Sequence, residues 1–414
     1  MRIWNTVLER RHLRDLLLYT GQLIILRAQQ EEDDSSSSSS SDSSDSSSSG
    51  SFGSNNSIGT TSTIDYCIRQ TLQFGRKIYT PTFDATIDWH CQKVVEDFSE
   101  IFCQSNFCFR PMHLRLLFDL LWPRMRPLLH GQQTRIVTQH GYVCKYETGM
   151  LILFYRMSFP RRLSPDMEQV FCMRKSALSS IISTFREVLH TVSLPYLSTP
   201  GLFFNRFDYY GSLIDAKTNG AITTVWAFID GTLRRTCRPT YCQKAAYSGH
   251  KRCHGIKFQS VIAPDGLIVD LYGPIAGSRH DLYMLAESGL LPKLRELMPE
   301  GEAIYSIFGN PAYPQSAYLL GSFTNTIANS DEAEWNTVLS KVRICVEWGF
   351  KEIAMQWSYL DFKKQMKIFE APIAQYYIVG GFLCNCRNTI YGSQTQEYYN
   401  AKALSLEEYI NLVN

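Results

Sequence analysis

Two acidic residues lie where an α/β fold could bring them together. Asp230 ends the apolar run TTVWAFID, which has the composition of a buried β-strand. Glu347 lies in the segment WNTVLSKVRICVEWGF, where Asn336, Ser340, Arg343 and Glu347 form a polar stripe beside the apolar one. A helix packed on the sheet could direct Glu347 towards the strand ends, where Asp230 lies.

Carboxylates that converge in this way repel one another unless cations neutralise them, and oxygen ligands suit Mg²⁺ or Mn²⁺. Two such ions could activate a water or a 3′-hydroxyl and stabilise the leaving oxygen of a phosphodiester. The alternative is an ordinary ion pair of Glu347 with Arg343, four residues earlier, worth ~0.3–0.5 kcal/mol on an exposed helix. The residues of this helix alone favour the ion pair.

The segment AIYSIFGNPAYP, residues 303 to 314, predicts a buried strand that runs into a tight turn and ends on Asn310. An aspartate at such a strand tip would be an obvious metal ligand. An asparagine offers one carbonyl oxygen to a cation, but it brings no charge and cannot bridge two ions as a carboxylate does.

The elements that must position these residues begin near residue 222. The runs TTVWAFID, GIKFQSVI and LIVDLYG predict three strands, and the turn APDG at 263 to 266 joins the last two in a hairpin. A helix beginning near Ser278 or Asp281, the strand 303 to 309 and the helix DEAEWNTVLSKVRICVEWGFKEI follow. This is the order of elements in a ribonuclease H-like core, although other α/β folds share it.

Residues 80 to 205 carry a helical pattern. ETGMLILFYRM predicts one helix, LSPDMEQVF a second with Ser164 as N-cap, and KSALSSIISTFREVL a third with Ser176 as N-cap. The third has one apolar face, formed by Leu178, Ile181, Ile182, Phe185, Val188 and Leu189. Its polar residues lie elsewhere: Arg174, Lys175, Ser179, Ser180 and Arg186. This layout is typical of a helix-turn-helix recognition helix with Lys175 and Ser179 towards DNA; the alternative is three helices that only pack.

The rest of the chain sets the context. Thirteen serines lie between Ser35 and Ser49, interspersed with acids, which predicts a disordered linker. Twelve cysteines without a secretory pattern indicate an intracellular, reduced protein. No apolar run approaches the ~18 residues of a membrane span. We therefore expect a soluble protein.

Positive charge is concentrated in two segments although the formal net charge is only +2. Residues 101 to 163 carry nine Lys/Arg against two acids, and residues 231 to 257 carry seven against none. Two basic surfaces of this kind suit nucleic acid, and the alternative is that they are solvated faces of unrelated elements. The second segment supplies these candidates for phosphate contact: Arg234, Arg235, Arg238, Lys244, Lys251, Arg252 and Lys257.

Cysteine and histidine in the same segment raise a zinc alternative. Five such residues lie within 18 positions: Cys237, Cys242, His250, Cys253 and His254. They lack the paired C-x2-C spacing of zinc knuckles, so we expect these cysteines to pack instead.

Several short motifs in order carry a resemblance. They are FIDGT at 228 to 232, CRP at 237 to 239, YSGHKRCHGIKFQSV at 247 to 261, PDG at 264 to 266, GSRHD at 277 to 281, GNPAYP at 309 to 314 and WNTVLSKVRICVEWGFKEI at 335 to 353. Together they resemble the DDE nuclease domain of PIF/Harbinger transposases and of host genes derived from them. The resemblance covers roughly 222 to 390, and the helical segment upstream also looks like that of the family.

The resemblance implies a ribonuclease H-like fold, cleavage of transposon ends that depends on Mg²⁺ or Mn²⁺, and joining of the freed 3′-hydroxyl to target DNA. Residue by residue, Asp230 corresponds to the first acid, Asp281 to a further family carboxylate and Glu347 to the terminal glutamate. Where the family has Gly-Asp before Tyr-Pro, this chain has Gly309-Asn310. The expected metal ligands are thus Asp230, Asp281, Asn310 and Glu347, with catalysis impaired at Asn310.

These inferences combine into one hypothesis: a transposase-derived, DNA-binding, divalent-metal nuclease that resides in the nucleus and cleaves transposon ends. The alternative function is a catalytically inactive, domesticated DNA-binding or adaptor protein. Double-stranded DNA is the expected partner and no membrane is expected. A Myb-like partner protein, as in relatives, is a further candidate, and a homo-oligomer is another that the sequence leaves open. We expect the following parts: 1–34, an N-terminal appendage; 35–60, the Ser-rich linker; 80–205, the helical DNA-binding region; 222–390, the nuclease domain; and 391–414, a C-terminal extension.

Overall fold

A computed structural model describes residues 92–220, 222–298, 305–323, 326–327, 329–361 and 366–413. All of them belong to one compact unit, Ala85–Asn414. The expected N-terminal appendage (1–34), the Ser-rich linker (35–60) and the first residues of the helical region lie outside the described residues. No helix among those described is long and apolar enough to cross a membrane.

The first half of the described chain is mostly helical. Its elements are α1 (Glu100–Phe107), α2 (Pro111–Met125), β1 (His130–Gln132), β2 (Arg135–Val137), β3 (Val143–Cys144), α3 (Tyr146–Ser158), α4 (Glu168–Phe171), α5 (Lys175–Ser193) and α6 (Phe207–Lys217). The strands β1, β2 and β3 form a small antiparallel sheet, so the prediction of an all-helical region was incomplete. Strands of two or three residues are too short to show an alternating pattern.

The second half holds the main sheet. Its elements are β4 (Val225–Arg235), α7 (Gln243–Ala246), β5 (Tyr247–Ser248), β6 (Cys253–Ile262), β7 (Ile268–Ala276), α8 (Asp281–Ser288), α9 (Leu290–Leu297), β8 (Ser306–Gly309), β9 (Leu319–Gly321), α10 (Asp331–Gln356), α11 (Ile373–Tyr391), α12 (Gln394–Tyr399) and α13 (Leu406–Ile410). The order β7-β6-β4-β8-β9 is antiparallel from β7 to β4 and parallel from β4 to β9. This mixed sheet confirms the predicted ribonuclease H-like core.

The sequence pattern missed two features of this half. The helix expected after residue 278 is two helices, because Gly289 adopts a left-handed backbone with φ +62° between α8 and α9. The strand β9 is only three residues long and gives too weak a pattern to be predicted.

Helix α10 lies close against the sheet and carries the side chains that reach its end. Its buried face includes Leu339, Val346 and Phe350, and Ser330 caps its start by accepting a hydrogen bond from the backbone N–H of Ala333. At Gly349 a β-carbon would lie 2.2 Å from the Ile262 side chain on β6. The missing side chain therefore permits the close approach of α10 to the sheet.

Helix α5 is buried on more than its predicted apolar face. All six predicted core residues of this helix are buried. The polar residues Ser180 and Arg186 also turn inwards: Ser180 donates a hydrogen bond to Thr138 and Arg186 donates one to Gln375 on α11. The helix begins at Lys175 with Arg174 as N-cap, so the predicted cap at Ser176 was wrong. Because α5 packs against both α3 and α11, the helical region and the sheet share one core.

Candidate functional site

The neighbouring parallel strands β4 and β8 bring Asp230 and Asn310 together, although β4 does not end at Asp230 as the sequence predicted but continues to Arg235. Phe228 on β4 is paired with Phe308 on β8; Asp230 lies two positions further along β4, and Asn310 directly follows the last residue of β8. Side chains two positions apart in a strand point to the same face, so Asp230 and Asn310 occupy equivalent places side by side. Nδ2 of Asn310 donates a hydrogen bond of 3.0 Å to Oδ1 of Asp230.

Both carboxylate oxygens of Asp230 have partners. Oδ1 also accepts the backbone N–H of Gly231 at 2.9 Å, and Oδ2 accepts Nη1 of Arg343 at 2.8 Å. The Arg343 side chain reaches this carboxylate from α10 and is only one-fifth exposed. A partly buried, charge-assisted bond of this kind is stronger than a surface ion pair. Asp230 is therefore held by a cation and an amide from its own chain.

Asp281 is the second acid of the site. It is the first residue of α8, and its Oδ1 lies 3.1 Å from Nζ of Lys257 on β6. A β-carbon at Gly231 would lie 2.8 Å from the same Oδ1. The glycine next to Asp230 thus leaves room for Asp281, and each of the two acids has its own basic partner.

Glu347 lies at the edge of the site. Its side chain is 60% exposed, and Oε1 lies 3.8 Å from Nη2 of Arg343, the guanidinium that also binds Asp230. Glu347 and Arg343 do share one stripe of α10, as the sequence indicates, but the residue that reaches Asp230 is the arginine. The i, i+4 pair considered for the sequence is therefore present, at a long distance.

A cavity of about 690 Å³ opens where β8 ends, beside Asp230 on β4; it is called the strand-end cavity below. It is lined by Asp230, Gly231, Thr232, Leu233, Ser248, His250, Lys251, Lys257, His280, Asp281, Leu282, Asn310, Pro311 and Ala312. The two acids face two lysines and two histidines across this space. Of the basic residues, Lys257 is paired with Asp281, whereas the side chains of His250, Lys251 and His280 are exposed.

Burial raises the pKa of the Asp230 carboxyl, because an ionised carboxylate loses solvation in this position. The Arg343 guanidinium and the Gly231 N–H oppose this effect, and the Asp281 carboxylate adds to it. Burial also raises the pKa of the Tyr313 hydroxyl beneath the site well above its usual range, with further contributions from Asp281 and Asp230. Both pKa values are raised for the same reason: a negative charge in this site is stable only when a nearby cation or hydrogen-bond donor compensates it.

The residues present do not fit a pair of divalent cations. Two such ions lie ~3.5–4 Å apart in two-metal sites and need several anionic ligands to offset their repulsion. Here the negative charges of Asp230 and Asp281 are matched by the positive charges of Arg343 and Lys257. Oδ1 of Asn310 accepts the backbone N–H of Ala312 at 2.9 Å, so this oxygen also has a donor. Within the described ranges, no group of three or more His, Cys, Asp or Glu side chains is arranged for a metal ion.

The same finding bears on the zinc alternative. Cys237, Cys242, His250, Cys253 and His254 are all described, and they do not form a metal-holding group.

The predicted DNA-contacting residues lie in different surroundings. Arg234 turns inwards: it donates a hydrogen bond of 3.0 Å to the Tyr377 hydroxyl and one of 2.7 Å to the Phe350 carbonyl oxygen, and its guanidinium lies over the Tyr377 ring. Arg238 is exposed and donates to Gln243. Lys257 is half-buried and paired with Asp281, whereas the other candidates are exposed: Arg235, Lys244, Lys251, Arg252, Lys175 and Ser179.

Two residues of the site were not predicted in the roles that the structure gives them. Arg343 was considered only as a partner of Glu347, and Lys257 only as a phosphate contact. The spacing places Arg343 one helical turn before Glu347 on the same stripe, which allows either an ion pair with Glu347 or a reach to the sheet and does not decide between them. His280, the N-cap residue of α8, lines the cavity without any signal in its spacing.

The fold and this site define a class: a ribonuclease H-like nuclease core with acids grouped beside the end of β8. The family model described as DDE superfamily endonuclease matches residues 229–385, from β4 into α11. The match supports a transposase-like nuclease at this coarse level, in a superfamily whose members generally use divalent metals and act on DNA. No curated protein and no solved structure gave a match.

Proposed function

We propose that this chain is a transposase-derived, nuclear, DNA-binding protein in which the cleavage reaction of the DDE scaffold is suppressed. The observation that carries the proposal is the state of Asp230, whose two oxygens are occupied by Asn310, Gly231 and Arg343. In this arrangement a neutral amide and a guanidinium stand where a two-metal site needs negative charge. The match to DDE superfamily endonucleases supports the ancestry, and the PIF/Harbinger motifs suggest the subtype.

The same cavity supports binding to the DNA backbone. With Asp230 and Asp281 each paired to a cation, the side chain of Lys251 adds a positive charge that neither acid neutralises. His250 and His280 add two further groups that can donate hydrogen bonds to phosphate oxygens. A duplex that follows this edge of the sheet would also meet the exposed Arg235, Arg238 and Arg252.

A second candidate function is an active, metal-dependent DNA nuclease, because the family match covers both the residues that line the cavity and Glu347 at the edge of the site. In that function Asp281, which lies beside Gly231, would be the working second acid instead of residue 310. The two candidates share the fold and the DNA partner and differ in whether the site can cleave.

Nicking of supercoiled plasmid in Mn²⁺ separates them. We expect wild-type protein to nick no faster than Asp230→Asn, and Asn310→Asp to gain cleavage by orders of magnitude. Adding Glu347→Gln to Asn310→Asp should abolish the gain, which guards against a contaminating nuclease. Robust wild-type nicking that depends on Asp230, Asp281 and Glu347 but is indifferent to Asn310→Asp would refute the proposal and establish the second candidate.

A further inference from the structure

A second, smaller cavity of about 380 Å³ lies between the segment after β9 and the first turn of α10. It is lined by Pro311, Tyr313, Gln315, Leu320, Ser322, Phe323, Glu332 and Trp335. It shares Pro311 with the strand-end cavity and is otherwise separate from it. No function described above uses its aromatic wall.

Two side-chain amides hold the mouth of this cavity in place. Asn336 accepts the backbone N–H of Phe323 at 2.8 Å and donates to the Phe323 carbonyl at 2.9 Å. Gln315 binds the backbone of Gly321 in the same two-point manner, at 3.2 Å and 2.6 Å. The segment 321 to 323 is thus fixed at both ends by hydrogen bonds, which preorganises the aromatic ring it carries.

The fixed ring is exposed. Phe323 is 42% exposed, and its ring meets that of Trp335 edge to face, with centroids 5.0 Å apart. Burying an aromatic ring in an apolar environment is more favourable than leaving it in water, so a rigidly held, exposed ring favours a ligand that covers it.

The charge of the cavity selects the kind of ligand. Glu332 belongs to the lining, and no Lys, Arg or His does among the described residues. Asp331 and Glu334 are exposed on the same first turn of α10. The helix N-terminus contributes only about +0.5 of an elementary charge, which three carboxylates outweigh. The cavity therefore repels a phosphodiester and attracts a cation.

We infer that this cavity binds an arginine side chain of a partner protein, with the guanidinium against Phe323 and Trp335 and an ion pair to Glu332. A guanidinium is planar, stacks on aromatic faces and donates two parallel hydrogen bonds to a carboxylate. The cavity offers the features that this group requires: an aromatic wall, a carboxylate and, among the described residues of its lining, no competing cation.

The test measures binding of a blocked hexapeptide with one central arginine to the full chain. Binding is followed by the NMR signal of the Trp335 indole N–H, and the variant Trp335→Phe identifies this signal by its loss. The matched peptide carries citrulline, which keeps the shape of arginine and removes its charge. We expect the arginine peptide to shift this signal and to bind roughly three- to fivefold more tightly than the citrulline peptide. Phe323→Leu and Glu332→Gln should each weaken binding by a similar factor, whereas Glu334→Gln, outside the lining, should not.

Three results would overturn the inference: equal affinity for the two peptides, no effect of Glu332→Gln, or displacement of the arginine peptide by single-stranded oligothymidylate. The last would identify the cavity as a nucleobase site. Because Phe323 and Glu332 are exposed, we expect both variants to fold. Plasmid nicking by the same variants should stay at the wild-type level, so the inference can fail while the proposed function stands.

Discussion

Asn310 donates a hydrogen bond of 3.0 Å from Nδ2 to Oδ1 of Asp230, where β8 has just ended beside the middle of its parallel neighbour β4. A carboxylate at position 310 could not make this bond, because an ionised carboxylate only accepts hydrogen bonds. Two carboxylates at this distance would also repel each other unless a cation lay between them. With Asp at position 310, the two side chains would need a shared cation between them; with Asn310, they contact each other directly.

The first prediction concerns the ion that this contact replaces. Asn310→Asp combined with Arg343→Met leaves two adjacent acids without a basic partner, so we expect a lower Tm than that of wild-type protein in EDTA. Adding Mn²⁺ should raise the Tm of this double variant by several degrees, because the ion then binds the folded state selectively. Wild-type protein and Lys341→Met, which removes an exposed cation from the same helix, should show no Mn²⁺-dependent rise. Thermal unfolding followed by circular dichroism measures both. An equal Mn²⁺ response in wild-type protein would contradict our account of the charge balance.

The juxtaposition of Asp230 and Asn310 was predictable from the sequence, because both end apolar runs that the order of elements places in neighbouring parallel strands. The role of Arg343 was not, because a long, flexible side chain can reach either the sheet or its neighbour Glu347, and only the packing of α10 decides between them. Helix α10 approaches the sheet closely at Gly349, a contact between distant parts of the chain that no local pattern reports.

The sequence contains a local signal for the inward position of Arg234, but a count of basic residues does not use it. Side chains alternate between the two faces of a strand, so the neighbours Arg234 and Arg235 at the end of β4 cannot point the same way. Treating both as phosphate contacts disregarded this alternation. Helix α5 lacks such a local signal for its buried polar residues. The exposure of Lys175 at its start was predicted, but the burial of Ser180 and Arg186 depends on hydrogen bonds to Thr138 and Gln375 in distant segments.

The second prediction separates the two arginines of β4. Arg234→Ala removes two hydrogen bonds and the contact with the Tyr377 ring, so we expect it to lower the free energy of unfolding by about 1–3 kcal/mol in urea titrations. Arg235→Ala should change stability by less than about 0.5 kcal/mol. If Arg235 contacts a phosphate, its loss should reduce the slope of log K against log salt by about 0.9 for duplex DNA. Equal urea midpoints for the two variants would show that Arg234 is not a structural residue.

The third prediction tests the exposed start of α5 as a DNA-reading element. Lys175→Ala with Ser179→Ala should lower the preference for a selected duplex by about 1–3 kcal/mol per lost base contact and leave the unfolding midpoint unchanged. Ser180→Ala is the matched control: it breaks the buried bond to Thr138, so it should cost about 1 kcal/mol of stability without changing site preference. Competition binding against a scrambled duplex measures the preference. If the double variant keeps full preference, these helices serve packing alone.

The fourth prediction concerns a buried acid remote from the basic surfaces. Asp270 on β7 is 2% exposed, its Oδ1 has no hydrogen-bond partner among the described residues, and its Oδ2 lies 3.7 Å from Nζ of Lys293 on α9. Burial raises the pKa of this carboxyl from its usual 3.8 to about 6, although Lys293 opposes the rise. Since the folded-state pKa is the higher one, the folded state binds the proton more tightly. The extra stability that the folded state gains from this tighter proton binding is complete below about pH 4 and is lost as the pH rises to about 6.

Asp270→Asn should therefore remove this loss, because an amide keeps the side chain neutral at every pH. A shift of about two pKa units corresponds to roughly 3 kcal/mol, which is the upper limit of the gain in stability expected for Asp270→Asn at pH 7. Lys293→Met should act in the opposite direction, because loss of the ammonium raises the pKa of Asp270 further and extends the loss of stability to higher pH. Glu296→Gln, an exposed change on the same helix, should leave the profile unaltered. Urea unfolding at pH 4 to 8 measures all four proteins, and a wild-type profile that Asp270→Asn does not change would show that the Asp270 carboxyl has the same pKa in the folded and unfolded chain.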